Sequence, residues 1–150
     1  GVKFANWGYN QIDSYPIDIP EVDTWFNIEV PLDTQIENNL SYNSGIINFT
    51  GNGIYMIQYV NTFNGNTGDN FSMRFFNLTL NEEVSGSVVN FTIPDDSYRE
   101  FQNMMLVNLT TAYTGSFGKS THQISMQVKN TTNTSNINIV SSSLVVIKIV

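Results

Sequence analysis

The chain carries one histidine, His122, and no cysteine among its 150 residues. A Ser-His-Asp triad lies within that count only if His122 serves it, and an imidazole pair or multi-histidine metal site lies beyond it; thiolate chemistry has no residue to use. His122 opens the alternating segment Thr121-His122-Gln123-Ile124 and is expected at an exposed strand start. Carboxylates are the remaining candidates. Asp95 with Asp96 and Glu82 with Glu83 are adjacent pairs, whereas glycoside hydrolysis needs two carboxyls facing one another across ~5 to 9.5 Å. Neighbours on a strand or tight turn point apart, so both pairs read as solvated turns. Gly51-Asn52-Gly53 leads into a strand pattern, which removes the helix N-terminus that makes a glycine-rich loop a phosphate cradle. No catalytic residue is assigned, no enzyme is expected, and no cofactor is required.

Binding chemistry is better represented. Asp13, Asp18 and Asp23 offer the oxygen ligands that calcium uses, but their spacing matches no calcium-loop signature and no metal is assigned. Asn-x-Ser/Thr sequons occur at Asn39, Asn48, Asn70, Asn77, Asn90, Asn108, Asn130 and Asn133. Sequons are glycan acceptors in secreted proteins. Where the middle residue is apolar, as in Asn48-Phe49-Thr50 or Asn90-Phe91-Thr92, an alternating strand with a polar outer face writes the same pattern. Asn130 and Asn133, in a Thr-rich stretch, are the two expected to be accessible acceptors. Rigid aromatic faces grip sugars and partner surfaces with little loss of entropy. Tyr9 and Tyr15, in a stretch expected to be a loop, and Tyr113, beside the turn from Gly115 to Gly118, are the candidates for a glycan or receptor contact.

The net charge is −7, so phosphate backbones are repelled and nucleic acid is not an expected partner. Charged residues make up only 13% of the chain, which leaves the surface to be solvated by neutral amides and hydroxyls. That surface suits an extracellular or particle-exposed protein, and an AT-rich genome produces the same asparagine excess. No base stands between Lys3 and Arg74, where Asp13, Asp18, Glu21, Asp23, Glu29, Asp33, Glu37 and Asp69 all fall. A solvated acidic rim, a basic partner and calcium all remain open as its meaning. The longest apolar run, Leu144 to Val150, contains Lys148 and falls far short of the ~20 residues of a membrane helix, so no membrane insertion is expected. The chain starts at Gly1 with no initiating methionine, as expected of a processed product or a piece of a longer protein.

Period-2 alternation recurs from end to end, as in Phe71-Ser72-Met73-Arg74-Phe75, and predicts half-buried strands. Strands are predicted near residues 3–8, 24–30, 45–50, 53–63, 70–80, 86–93, 104–114, 121–129 and 143–150. The stretch from Asn10 to Asp23, with Pro16 and Pro20, is predicted to be a surface connection, and Asp95 to Gln102 to hold a short helical turn. Many short strands without helices predict a single all-β domain over 1–150, an antiparallel two-sheet sandwich or barrel. The closing run is apolar on both faces and should sit centrally in its sheet with both faces covered.

The stretch Ile46-Ile47-Asn48-Phe49-Thr50-Gly51-Asn52-Gly53-Ile54-Tyr55-Met56-Ile57-Gln58-Tyr59 resembles the core signature of the tumour necrosis factor and complement C1q jelly-roll superfamily. The later segments around Asn81 to Ser87, His122 to Val128 and Ser141 to Ile149 follow in the matching order, so the resemblance spans roughly Trp25 to Val150. Gly118-Lys119 stands where a Gly-Asp pair is usual, a departure that favours a microbial or viral member. The resemblance implies a C1q/TNF-like jelly roll and a homotrimer. It further implies that Tyr55, Ile57 and Tyr59 enter the core, while Met56, Gln58 and Val60 face a threefold axis with Leu144, Val146 and Lys148. A neighbouring loop covering Met56 and Val60 is the alternative to a partner subunit. The implied function is a trimeric head on a virion, spore or appendage, attaching to a receptor or glycan; a subunit with an assembly role only is the other reading.

Overall fold

The computed structural model describes residues 2–109 and 121–150. Among them are twelve strands, all paired antiparallel: β1 Phe4–Ile17, β2 Phe26–Asn27, β3 Asp33–Asn38, β4 Leu40–Asn43, β5 Ile46–Thr50, β6 Ile54–Asn64, β7 Asn70–Asn77, β8 Glu82–Glu83, β9 Val89–Thr92, β10 Arg99–Asn108, β11 Thr121–Asn130 and β12 Ile137–Lys148. The first sheet runs β10-β6-β12-β1-β3. The second runs β4-β5-β11-β7-β8, with β2 added to β11 and β9 to β7. Nearly every neighbour pair is non-consecutive in sequence, the connectivity of a jelly roll, and the all-β two-sheet expectation holds.

Alternation is what packs the two sheets together. Along β6 buried and half-buried residues strictly alternate, and Tyr55, Ile57, Tyr59 and Phe63 enter a core shared with Trp7, Phe49, Phe71, Phe75, Leu144 and Val146. Phe49 and Tyr55, from either side of the β5–β6 turn, meet edge-to-face at 4.8 Å. Gly53 in that turn lies against the carboxyl-terminal strand: a Cβ there would come within 2.8 Å of the Val150 carbonyl oxygen. The glycine of the Gly-aliphatic-Tyr motif is thus a place where two backbones touch.

Several predicted boundaries are corrected. The stretch from Asn10 to Asp23 is not all loop, because β1 continues to Ile17. Its pairing with β3 ends at Gly8↔Asp33, so beyond that point no described strand pairs with that side of β1, and a proline at position 16 is tolerated there. Asp95 to Gln102 forms no helical turn. The Ser97 N–H donates to Asp95 Oδ1 at 2.9 Å, an Asx turn that leads directly into β10. The strands β3 and β4 escaped prediction; β3 is an edge strand exposed along almost its whole length, so no face of it carries an apolar signal. β12 does occupy the centre of its sheet. Its second face is open: Ile147 is 37% exposed and Val145 half-buried.

Candidate functional site

Directly paired residues in an antiparallel ladder share a face of the sheet, so the registers of the first sheet define what its outer face presents. One row across it reads Leu106, Met56, Ile147, Phe4, Asn38. The next reads Met104, Gln58, Val145, Asn6, Ile36, and the third Gln102, Val60, Ser143, Gly8, Asp33. A fourth, where β3 no longer reaches, reads Glu100, Thr62, Ser141, Asn10. The face therefore grades from apolar to wholly polar over four rows. Its apolar end is open, with Leu106 64%, Met104 63% and Ile36 53% exposed.

Met56, Gln58 and Val60 lie on this face as a half-buried set. Leu144 and Val146 do not: both are fully buried in the core, opposite Tyr59 and Ile57. The expectation that they share a face with Met56 is corrected by one residue of register, since a shift of one moves a side chain to the other side of the sheet. Val145 and Ile147 take that place.

The polar end of the face is concave. A hollow of about 500 Å³ is lined by Asn6, Asn10, Gln35 and Thr62, by Ser141 and Ser143, and by the carboxylates of Asp33 and Glu100, with Tyr9 at its wall. None of those eight polar side chains bonds another described residue. Several amides elsewhere are spent internally: Gln127 on Asn27, Gln123 on Asn48, Asn138 on Asn64 and Asn66 on Ser135. Gln35 is the unpaired residue where the β1–β3 register shifts, a bulge that re-aims its side chain.

Tyr9 and Tyr15 are strand residues, not loop residues. Their rings meet edge-to-face at 6.0 Å and pack against the core, Tyr9 on the side of β1 opposite Asn6, Gly8 and Asn10, and Tyr15 lines a separate cleft of about 280 Å³ with Phe26, Asp18 and Glu29. Tyr113 lies outside the described residues. Asn130 is fully buried; its Nδ2 donates toward Asp69 Oδ2 at 3.0 Å, and Asn133 Nδ2 donates to Asp69 Oδ1 at 2.7 Å. Their expected accessibility is corrected, because these two amides clamp the 130–136 loop onto a carboxylate that is only 3% exposed. The exposed sequon asparagines are Asn39, Asn70, Asn90 and Asn108.

His122 is also corrected. It is 1% exposed, and Asn77 Nδ2 lies 3.3 Å from its Nδ1, while its Nε2 has no partner among the described residues. Burial lowers its pKa, so it folds neutral with Nδ1 as the acceptor. The unfolded chain takes up a proton near the ordinary value of about 6.5. Stability contributed by the neutral ring is present above that pH and lost as pH falls through the depressed folded value, at about 1.4 kcal/mol per unit of depression. Denaturant midpoints measured from pH 7 to pH 5 should fall more steeply for the natural chain than for His122→Gln; parallel curves would refute this.

One member of each carboxylate pair is tied to a neighbouring arginine. Hydrogen bonds from Ser97, with Arg99 beside it at 2.9 Å, hold Asp95 below its ordinary pKa, the wrong direction for a general acid at neutral pH. Glu83 instead meets Arg74 at 3.1 Å. Among the described residues no three of His, Asp and Glu gather to hold a metal ion, and Asp13, Asp18 and Asp23 do not converge. The open-face residues that sequence reasoning missed are Met104, Leu106, Val145, Ile147 and the edge residues Asp33, Gln35 and Ile36. Apolar Met104 and Leu106 alternate with Asn103, Met105 and Val107, so neither parity of β10 stood out.

No protein-family model matches the chain, and no curated protein sequence matches it. Solved structures do. Eiger TNF from S. frugiperda superposes with a TM-score of 0.62 at 10% identity, covering 99% of this chain and 93% of that one. The globular domain of zebrafish complement 1qA gives 0.55 at 6% identity over 99% and 98%. PRD1 vertex protein P5 gives 0.51 at 15% identity over 100% and 99%. Identities this low speak for the fold alone, and they join the two-sheet topology and the Gly53 turn in one conclusion: the chain has a jelly-roll fold of the tumour necrosis factor and complement C1q type.

Proposed function

We propose that this chain is a non-enzymatic head domain that forms a homotrimer on the exterior of a particle or cell and mediates attachment. The observation that carries the reading is the apolar end of the first sheet, where Leu106, Met104, Met56, Ile147 and Phe4 form contiguous rows and, among the described residues, Leu106, Met104 and Ile147 are exposed. Contiguous exposed apolar patches on soluble domains mark interaction surfaces. Identical copies are the occupant that the superfamily resemblance supplies, since it puts Met56 and Val60 at a threefold axis. A vertex protein among the structures sharing the fold supports the particle surface as the setting. The polar rows stay wet in such an assembly, because leaving a buried donor or acceptor unpaired costs about 1–3 kcal/mol.

Light scattering on the natural chain is expected to give the trimer mass. Met104→Asp with Leu106→Asp should yield a folded monomer, because both side chains are mostly exposed within one chain yet would bring like charges together in the assembly. Assembly should weaken by about a thousandfold or more, several kcal/mol. A natural chain that stays monomeric at micromolar concentration overturns the reading. A trimer that binds neither cells nor glycans would leave the assembly role alone.

A further inference from the structure

We propose that the cleft at the side of the sandwich, between β1 and β2, takes an arginine side chain from an extended basic segment of a protein partner. This names a partner class for the attachment reading and rests on that reading only for the assembled form of the protein. The cleft is lined by Tyr15 and Ile17 of β1 in the first sheet and by Phe26 of β2 in the second, with the carboxylates of Asp18 and Glu29 from the connections beside them. Tyr15 and Phe26 have the core-side parity of their strands, opposite Ile139 and Val128. Both are half-buried, so each leaves part of its ring in the mouth between the sheets. Neither sheet continues there: among the described residues β2 pairs only with β11, and beyond Gly8 no strand pairs with the side of β1 away from β12. The cleft also clears the assembly. Tyr15 pairs with Ile139 and Asn6 with Val145, which puts it roughly 20 Å along β12 from the nearer apolar row, facing sideways and not across the sheet.

Size and charge choose the occupant. At about 280 Å³ the cleft falls just below the ~300–1,000 Å³ of small-molecule sites and is better matched to one long side chain. Aromatic rings with carboxylates are the surroundings a guanidinium prefers, since its plane stacks on a ring face and its N–H fork answers a carboxylate. The chain already holds one this way: Arg74 Cζ lies 4.1 Å from the centroid of the Trp25 ring and 4.4 Å from that of Phe76, while its guanidinium reaches Glu83 at 3.1 Å. In the cleft, no cation among the described residues meets Asp18 or Glu29. Asp18 Oδ1 accepts from the Asn136 amide at 3.4 Å, and Glu29 is exposed. Charge at longer range acts in the same sense. No base stands between Lys3 and Arg74, where Asp13, Glu21 and Asp33 also fall, and the net charge of −7 draws a basic partner in. An extended backbone can add itself along the side of β1 that no described strand occupies, sending its arginine between the sheets.

The test is fluorescence anisotropy with a labelled peptide of alternating arginine and threonine, against lysine and glutamate versions of the same peptide. Saturable binding of the arginine peptide, weaker binding of the lysine peptide and none of the glutamate peptide are expected. Asp18→Asn with Glu29→Gln should lower affinity for the arginine peptide about tenfold or more, with an unchanged melting curve, because the Asn136 contact is all that these carboxylates hold. Glu82→Gln with Glu100→Gln removes the same charge from exposed positions elsewhere and should leave affinity nearly unchanged. Phe26→Leu keeps apolar volume, removes one ring, and should narrow the preference for arginine over lysine. Equal binding by the Asp18/Glu29 variant, equal losses in the two double variants, or lysine bound as well as arginine by the natural protein overturns the proposal. Light scattering on the same samples keeps the two readings apart: a trimer that binds no arginine peptide loses this site and remains a head domain, whereas a monomer that binds it retains the site and loses the head.

Discussion

A chain ended at Ser143 should lose cooperative folding altogether. The missing residues are the second half of β12, the middle strand of the first sheet, which hydrogen-bonds to β6 on one side and to β1 on the other. Leu144 and Val146 leave the core with it, each fully buried, and removing a buried aliphatic side chain alone costs about 2–5 kcal/mol. The Val150 carbonyl that receives the Ile54 N–H is lost as well. Domains of this size are stable by only about 5–15 kcal/mol, and the ladder bonds that β6 and β1 make with the missing residues are lost in addition. Far-UV dichroism and a thermal scan of the truncated chain check it, and a sharp melting transition would show that β12 is not the keystone its position implies.

Trp7→Ala comes next in size. Trp7 is 1% exposed and lies opposite Leu144 across the β1–β12 ladder. Its ring packs on Tyr42 at 5.8 Å, and its Nε1 donates to Glu37 Oε2 at 2.9 Å. The substitution should cost about 3–5 kcal/mol, chiefly as cavity and lost transfer energy. Trp7→Phe fills most of that space and should cost less than half as much, with the remainder due to the Glu37 bond and the smaller ring. Chemical denaturation of the two variants reads the difference directly. Because Asn6, Gly8 and Asn10 hang on the same strand, facing the other way, loosening Trp7 should also blur the polar hollow.

Much of this architecture was legible in the residues. Period 2 placed Tyr55, Ile57 and Tyr59 on one face of β6 and Met56, Gln58 and Val60 on the other, and the glycines around Asn52 marked the turn by which the chain crosses from the second sheet to the first. What one sequence could not fix was parity between strands. Leu144-Val145-Val146-Ile147 is apolar at every position, so either alternate set fits a core, and Lys148 pointed to the wrong one. Lys148 shares the inward parity of Leu144 and Val146, but it sits where the strand leaves the sandwich, with its stem against Gly53 and its charge free to reach solvent. The same limit hid β3, whose exposure on both sides leaves no pattern to read, and with it Asp33 and Gln35 of the hollow. Asn130 and His122 misled for a related reason: polar residues signal the surface only until another polar group is found to satisfy them inside.

The edge position of β10 carries a consequence for the life of the chain before assembly. Among the described residues β10 pairs only with β6, and from Phe101 to Asn108 it bears no charge. An uncharged, apolar outer strand is a template on which any extended polypeptide can add itself. On the trimeric assembly proposed above, newly made copies would race between finding two siblings and polymerising edge to edge, and the Met104→Asp, Leu106→Asp form, which plants charge on that strand, should stay in solution at concentrations where unassembled natural chains precipitate.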